Sequence, residues 1–120
     1  MPEIKDKKYG KSFFYIEGNE IKDKKYGTTL FYIDNANIKE KSKYGSVRFY
    51  LDGNEIKENS KYGSVRYYVD GNEVKFKSKY GPIHLYIDGS EIKNKKYGTV
   101  KYYIDGGITR DQLYGFLSII

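Results

Sequence analysis

Residues 43–60 read KYGSVRFYLDGNEIKENS and residues 61–78 read KYGSVRYYVDGNEVKFKS, with 13 of 18 positions identical. The shared Tyr-Gly step recurs at 9–10, 26–27, 44–45, 62–63, 80–81 and 97–98, at spacings of 17, 18, 18, 18 and 17 residues. Six copies at so short a period make a repeat architecture, in which recurrence reports what every unit needs in order to fold.

With the Tyr of Tyr-Gly counted as position zero, positions three to eight alternate in character. In the third copy Val47, Phe49 and Leu51 fall on one face and Arg48, Tyr50 and Asp52 on the other. Such period-two alternation, rich in β-branched and aromatic residues, predicts a half-buried strand. Asp-Gly follows at 52–53, 70–71, 88–89 and 105–106, with Glu17-Gly18 and Asp34-Asn35 as variants. These are hairpin signals, because Gly, and to a lesser degree Asn, accepts positive φ. A second short strand comes next, as in Glu20-Ile21-Lys22 and Glu55-Ile56-Lys57, and Glu3-Ile4-Lys5 precedes the first Tyr-Gly. Six units thus span residues 3 to about 107, with about twelve short strands.

One such hairpin has an apolar face of about four side chains, for example Val47, Phe49, Leu51 and Ile56. Two strands alone are marginal in water, and a flat array leaves its faces wet and its edges open. The expected fold is therefore all-β: six tandem hairpin repeats of 17–18 residues in a rolled or closed antiparallel array, with a β-solenoid as the alternative.

The text changes at ITRDQLYGFLSII (108–120). Thr109 and Gln112 have the spacing of a capping box. Leu113, Phe116, Leu117 and Ile120 then follow at i, i+3, i+4 and i+7, one face of a helix over about 109–119. Gly115 weakens it by about 1 kcal/mol. The sheet needs something to fill its middle, so the tail is read as a cap or plug. Self-association through it is the other reading.

The 120 residues suit one domain, 1–120. Aliphatic content is thin and tyrosine, with 15 copies, replaces it, so much of the buried surface carries hydroxyls that need partners. The formal charge is +6, from 22 basic and 16 acidic residues. There is no Cys, hence no disulfide framework. No apolar run is long enough to span a membrane or form a signal-peptide core, so a cytoplasmic location is expected if the chain is complete.

Two columns are wholly tyrosine. Column zero is Tyr9, Tyr26, Tyr44, Tyr62, Tyr80 and Tyr97; column six is Tyr15, Tyr32, Tyr50, Tyr68, Tyr86 and Tyr103. Column six lies opposite the aliphatic positions and is flanked in the sequence by Arg48, Arg66, His84 and Lys101. Tyr15, Tyr32, Tyr50, Tyr68, Tyr86 and Tyr103 with Arg48 and Arg66 are therefore the candidate ligand site, a ladder of rings edged with cations that can stack on sugar rings or on bases. The competing reading is cross-strand aromatic packing, which must recur in every unit. The lysines before each Tyr-Gly suggest a basic stripe, but acidic residues intervene in each unit and no base-reading motif occurs, which argues against nucleic acid. His84 reads as an ordinary surface residue. Asp-Gly-Asn-Glu lacks the alternating ligands of a calcium loop. One His and no Cys do not build the usual zinc site. No nucleophile elbow, phosphate loop or separate carboxylate pair occurs, so no enzyme activity, metal or cofactor is expected.

The unit YGSVRYYVDGNEVK resembles bacterial tandem repeats of the form Tyr-Gly-x-apolar-x-Tyr-x-apolar-Asp-Gly-x-x-Ile-Lys, some of them in β-flower proteins. The resemblance covers about residues 3–107 and implies a radial array of hairpins. An apolar tail like 108–120 is similar to those of such chains. FYLDGNEIK more weakly resembles the hairpins of choline-binding and clostridial-toxin cell-surface repeats. Those rely on Trp, which this chain lacks, so their ligand sites do not carry over. The function expected is a non-catalytic binding or scaffold module, meeting a polysaccharide or a protein through a Tyr-rich face. The alternatives are a polyanion binder using the Lys and Arg face and a purely structural assembly protein.

Overall fold

The computed structural model describes residues 2–120. Twelve strands run in chain order: β1 (Glu3–Lys5), β2 (Ser12–Glu17), β3 (Glu20–Lys22), β4 (Thr29–Asp34), β5 (Asn37–Glu40), β6 (Val47–Asp52), β7 (Glu55–Glu58), β8 (Val65–Asp70), β9 (Glu73–Phe76), β10 (Ile83–Asp88), β11 (Glu91–Lys93) and β12 (Val100–Asp105). One helix, α1 (Arg110–Ser118), follows. Each strand pairs with its sequence neighbours, and β1 pairs with β12, closing an antiparallel barrel. The expected array is thus closed, not a solenoid. It is a wide, low body of 39 × 38 × 17 Å.

Closure comes from the two chain ends. Glu3, Ile4 and Lys5 lie opposite Asp105, Ile104 and Tyr103, in the same register that sets Glu20, Ile21 and Lys22 opposite Glu17, Ile16 and Tyr15. The sixth hairpin is therefore assembled without a turn. Asp105-Gly106, expected to be a hairpin turn, is not one. Gly18, Gly53, Gly71 and Gly89 have φ of 59–61° in real two-residue turns, whereas Gly106 has φ 112° and the chain leaves toward the helix. The partner strand that a turn would deliver has already come from residues 3–5.

All six long strands carry a bulge at the fourth position after the Tyr. Ile38 faces Phe49 and Lys39 faces Val47, so Arg48 is the extra residue. The equivalents are Phe13, Leu30, Arg66, His84 and Lys101. A bulge breaks strict alternation, since two residues oppose one. Val47, expected on the inner face, therefore sits on the outer wall opposite Lys39.

The interior is filled in rings. The short strands contribute Ile4, Ile21, Ile38, Ile56, Val74 and Ile92, all fully buried. Positions five and seven of the long strands add residues such as Phe49, Tyr67, Leu51 and Val69. Each such burial is worth about 1.5–3 kcal/mol. About eight strands already leave an interior that side chains just fill, so twelve need more. The helix supplies it. Tyr114, Gly115, Phe116, Leu117 and Ser118 are all buried, so the C-terminal half of the helix is wrapped all round and does not lie on the single face its sequence spacing suggested. Phe116 makes edge contacts with Phe14 and Tyr102 at centroid distances of 5.7 and 5.3 Å. A Cβ on Gly115 would stand 3.0 Å from Ile33 Cδ1, so the residue that weakens the helix is what lets it approach the wall. The capping box is present: Gln112 N–H donates to Thr109 Oγ1 at 3.1 Å and Thr109 N–H to Gln112 Oε1 at 3.0 Å. The tail's apolar core lies inside the barrel, so it is not a free self-association patch.

Phe116→Ala should lower the unfolding free energy by about 3–5 kcal/mol, because the barrel wall cannot collapse around the void. Denaturant titration followed by far-UV circular dichroism measures it, and an unchanged midpoint would mean that the helix is not core.

Candidate docking surface at the Tyr-Gly end

In an up-and-down barrel every second loop opens the same end. The six Tyr-Gly loops share one end and the Asp-Gly turns surround the other. The helix enters at the Asp-Gly end, where Gln112 Nε2 donates to the Gly18 carbonyl at 2.9 Å and the Arg110 guanidinium to that of Gly53. Its C-terminus points to the Tyr-Gly end.

Each Tyr-Gly tip is closed by the same hydrogen bond, with Tyr26 alone among the tip tyrosines at positive φ (65°). The Gly N–H donates to the carbonyl three residues earlier at 2.9 Å in all six, as in Gly10 to Lys7 and Gly63 to Ser60. The glycine is needed for close approach: a Cβ on Gly45, Gly63 or Gly81 would collide with the carbonyl of Glu40, Glu58 or Phe76. The three 18-residue units place the residue after the short strand in positive φ, at Lys41 (65°), Asn59 (69°) and Lys77 (67°). Ser42, Ser60 and Ser78 then accept the N–H of the tip tyrosine through Oγ at 3.2–3.3 Å. The other three loops instead lay a lysine near the ring, with Lys8, Lys25 and Lys96 Nζ at 5.6, 5.4 and 5.5 Å from the centroids of Tyr9, Tyr26 and Tyr97.

These turns push the column-zero rings into water. Tyr9, Tyr26, Tyr44, Tyr62, Tyr80 and Tyr97 are 89–91% exposed. Charge is divided along the same axis. The loops 6–11, 23–28, 41–46, 59–64, 77–82 and 94–99 hold twelve lysines and two aspartates. The strand ends next to the Asp-Gly turns, with their closing counterparts Glu3 and Asp105, hold eleven carboxylates and six lysines.

The structure distributes the expected ligand residues differently. Tyr32, Tyr50, Tyr68, Tyr86 and Tyr103 are half-buried on the outer wall and Tyr15 is buried. Each stands between a lysine and a polar neighbour, as Tyr68 does between Lys75 and Glu55. The lysine in turn reaches a carboxylate beyond the ring: Lys57 Nζ to Asp52 at 2.8 Å, Lys93 to Asp88 at 2.9 Å, and Lys5 to Asp105 at 2.8 Å across the closure. Hydrogen bonding to the carboxylate holds the Lys57 and Lys93 ammonium pKa above the usual value, and the bond from Lys57 draws the Asp52 carboxyl below it. These rings thus sit in cross-strand packing.

Arg48 and Arg66 do not flank the wall tyrosines, because the bulge turns them inward at the barrel mouth. With Phe31, Glu58, Ser118 and Ile119 they line a cleft of about 270 Å³. Arg48 pairs with Glu40 at 2.9 Å, and the Arg66 guanidinium lies 5.0 Å from the centroid of the inward Tyr67. Tyr67 Oη donates to the Ile120 carbonyl at 2.9 Å. α1 has no basic residue in its last turn, so these bulge cations face its negative end from the wall. His84, expected at the surface, is half-buried and stacked on Tyr67 at 4.9 Å with an interplanar angle of 6°. Burial lowers its pKa, and Lys101 and Arg66 add to the effect. Its Nε2 and the Arg66 Nε are buried without a partner. Among the described residues no cluster of His, Cys, Asp or Glu is arranged to hold a metal.

The exposed tyrosines were the ones the sequence reading passed over. The signal was there: a tyrosine inside a Lys/Ser-Lys-Tyr-Gly turn has no strand neighbour to lie on. No family model, curated protein or solved structure matches the chain.

A histidine whose folded pKa is depressed binds fewer protons in the folded state than in the unfolded one. Its contribution is present above the unfolded pKa of about 6.5 and lost as pH falls through the folded value. Stability should therefore decline more between about pH 7.5 and 5.5 in the wild type than in His84→Gln. Denaturation midpoints across that range test this, and parallel pH profiles would remove His84 as the cause.

Proposed function

We propose that this chain is a non-catalytic docking module that engages an extended ligand through the six Lys-Tyr tips at one end of the barrel. The observation that carries the reading is the sixfold repetition of one hydrogen-bonded turn that leaves each tyrosine 89–91% exposed. The core does not use these rings, so their recurrence in every unit has no packing reason. Wall tyrosines recur because neighbouring strands need them, whereas tip tyrosines recur where no strand lies beside them.

A closed barrel holds the six tips at fixed relative positions. Weak contacts made together gain from effective concentration, since later contacts are intramolecular. Rigidity also lowers the ordering cost that flexible loops pay on binding. The likeness to β-flower repeats belongs to the same reading, as a ring of hairpins around a filled centre.

Two variants separate this surface from the rest. Tyr→Ser at all six tips should leave the denaturation midpoint within about 0.5 kcal/mol of wild type, as surface changes do. It should abolish retention on whichever of three immobilised extended ligands holds the wild type: a cell-wall polysaccharide, heparin or an anionic lipid layer. Asn54→Ser with Asn72→Ser, at the Asp-Gly end, should leave retention intact. Undiminished retention of the six-tip variant, or no retention of the wild type on any of the three, would sink the proposal.

A further inference from the structure

Resting on that reading, we infer that the extended ligand is the surface of an anionic lipid bilayer, met peripherally by the Tyr-Gly end. Three independent features of that end fit a charged plane. The first is geometry. The six tips share one closing hydrogen bond and one exposure and leave the same end of a closed ring of similar hairpins, which brings them to about the same level. The body is more than twice as wide as it is tall, so this end is broad.

The second is side-chain chemistry. Each tip pairs a tyrosine with the lysine before it, in Lys8-Tyr9, Lys25-Tyr26, Lys43-Tyr44, Lys61-Tyr62, Lys79-Tyr80 and Lys96-Tyr97. Tyrosine is amphipathic and settles at the headgroup level, where its ring meets the acyl boundary and its hydroxyl stays hydrated. Lysine extends its apolar stem beside it and leaves the ammonium among headgroup phosphates. Sugar stacking would use the rings without needing the lysines, and a soluble polyanion would use the lysines without needing the rings. The bilayer interface uses both at the same depth.

The third is charge polarity. The twelve loop lysines are all exposed, against two aspartates in the loops and Glu40 and Glu58 at the adjoining strand ends, while the opposite end is acidic. An anionic leaflet attracts such a basic end and repels the other, which orients the protein before contact. The wall is not built to enter the bilayer. It carries a belt of lysine–carboxylate pairs, such as Lys39–Asp34 and Lys75–Asp70, at 2.8 and 3.1 Å, where a spanning barrel carries an apolar band.

The test is co-sedimentation of the full chain with phosphatidylcholine vesicles, with and without about 30% phosphatidylserine, at about 50 and 300 mM salt. The wild type should partition onto the anionic vesicles about tenfold or more better than onto neutral ones, and less at the higher salt. Tyr→Ser at all six tips keeps the formal charge and should lower that partition about tenfold. If that variant does not fold, Tyr→Ser at Tyr9, Tyr44 and Tyr80 alone should give an intermediate loss. Tyr62→Trp should show a blue-shifted emission on adding anionic vesicles, placing the tip at the interface. Three results would overturn the inference: no preference for anionic vesicles, partition unaffected by removing the tip rings, or tip-dependent retention on heparin or polysaccharide with none on vesicles. The last would leave the docking module standing with a different ligand.

Discussion

A ring of twelve strands has an interior too wide for its own side chains to fill, and the structure follows from how that space is closed and filled. The inward residues of a single hairpin are three or four. They become a core only when six hairpins surround a common axis and a helix occupies it. Phe116 and Leu117, both fully buried, take the place that a narrower barrel would give to larger wall residues. Gly115 belongs to the same solution, trading helix propensity for a close approach to Ile33 and Ile38. The final hairpin, made from the two chain ends, makes the ring cooperative. Ile4 and Ile104 are both buried, like the internal pairs, so the closing contact is a core contact first and an ion pair second.

The bulge repeated in all six long strands links this architecture to the chemistry of the two ends. It turns the fourth position inward and gives each unit one side chain at the mouth. In the first two units that side chain is apolar, Phe13 and Leu30. In the last four it is Arg48, Arg66, His84 and Lys101. The basic set gathers near the helix C-terminus, whose carbonyls lack cations of their own. A column that looks in sequence like the polar edge of a tyrosine ladder is in space the lining of the barrel mouth.

The two tyrosine columns show how similar residues acquire different roles. In column six the ring has a lysine on one neighbouring strand and, in most units, a glutamate on the other, and lies half-buried between them. In column zero a four-residue turn closed by the Gly N–H leaves the ring no strand neighbour. The consequence is a protein whose core is finished without its six most exposed aromatics. Those rings stand among most of its basic charge.

Much of this was legible in the residues alone. The 17–18-residue period, strand and turn chemistry, the capping box at Thr109 and Gln112, and the need for neighbours to cover each hairpin are local or follow from repetition. They specify an all-β array that rolls up around its tail. Four things were decided only by the tertiary structure. Ring closure depends on residues about 100 apart in the chain meeting in register. The bulge is invisible to a two-residue period, because it is defined by the partner strand. The C-terminal half of the helix is buried all round because a barrel surrounds what it contains. Which tyrosines face water depends on whether a strand passes beside them, and that is a property of the assembled ring, not of any one repeat.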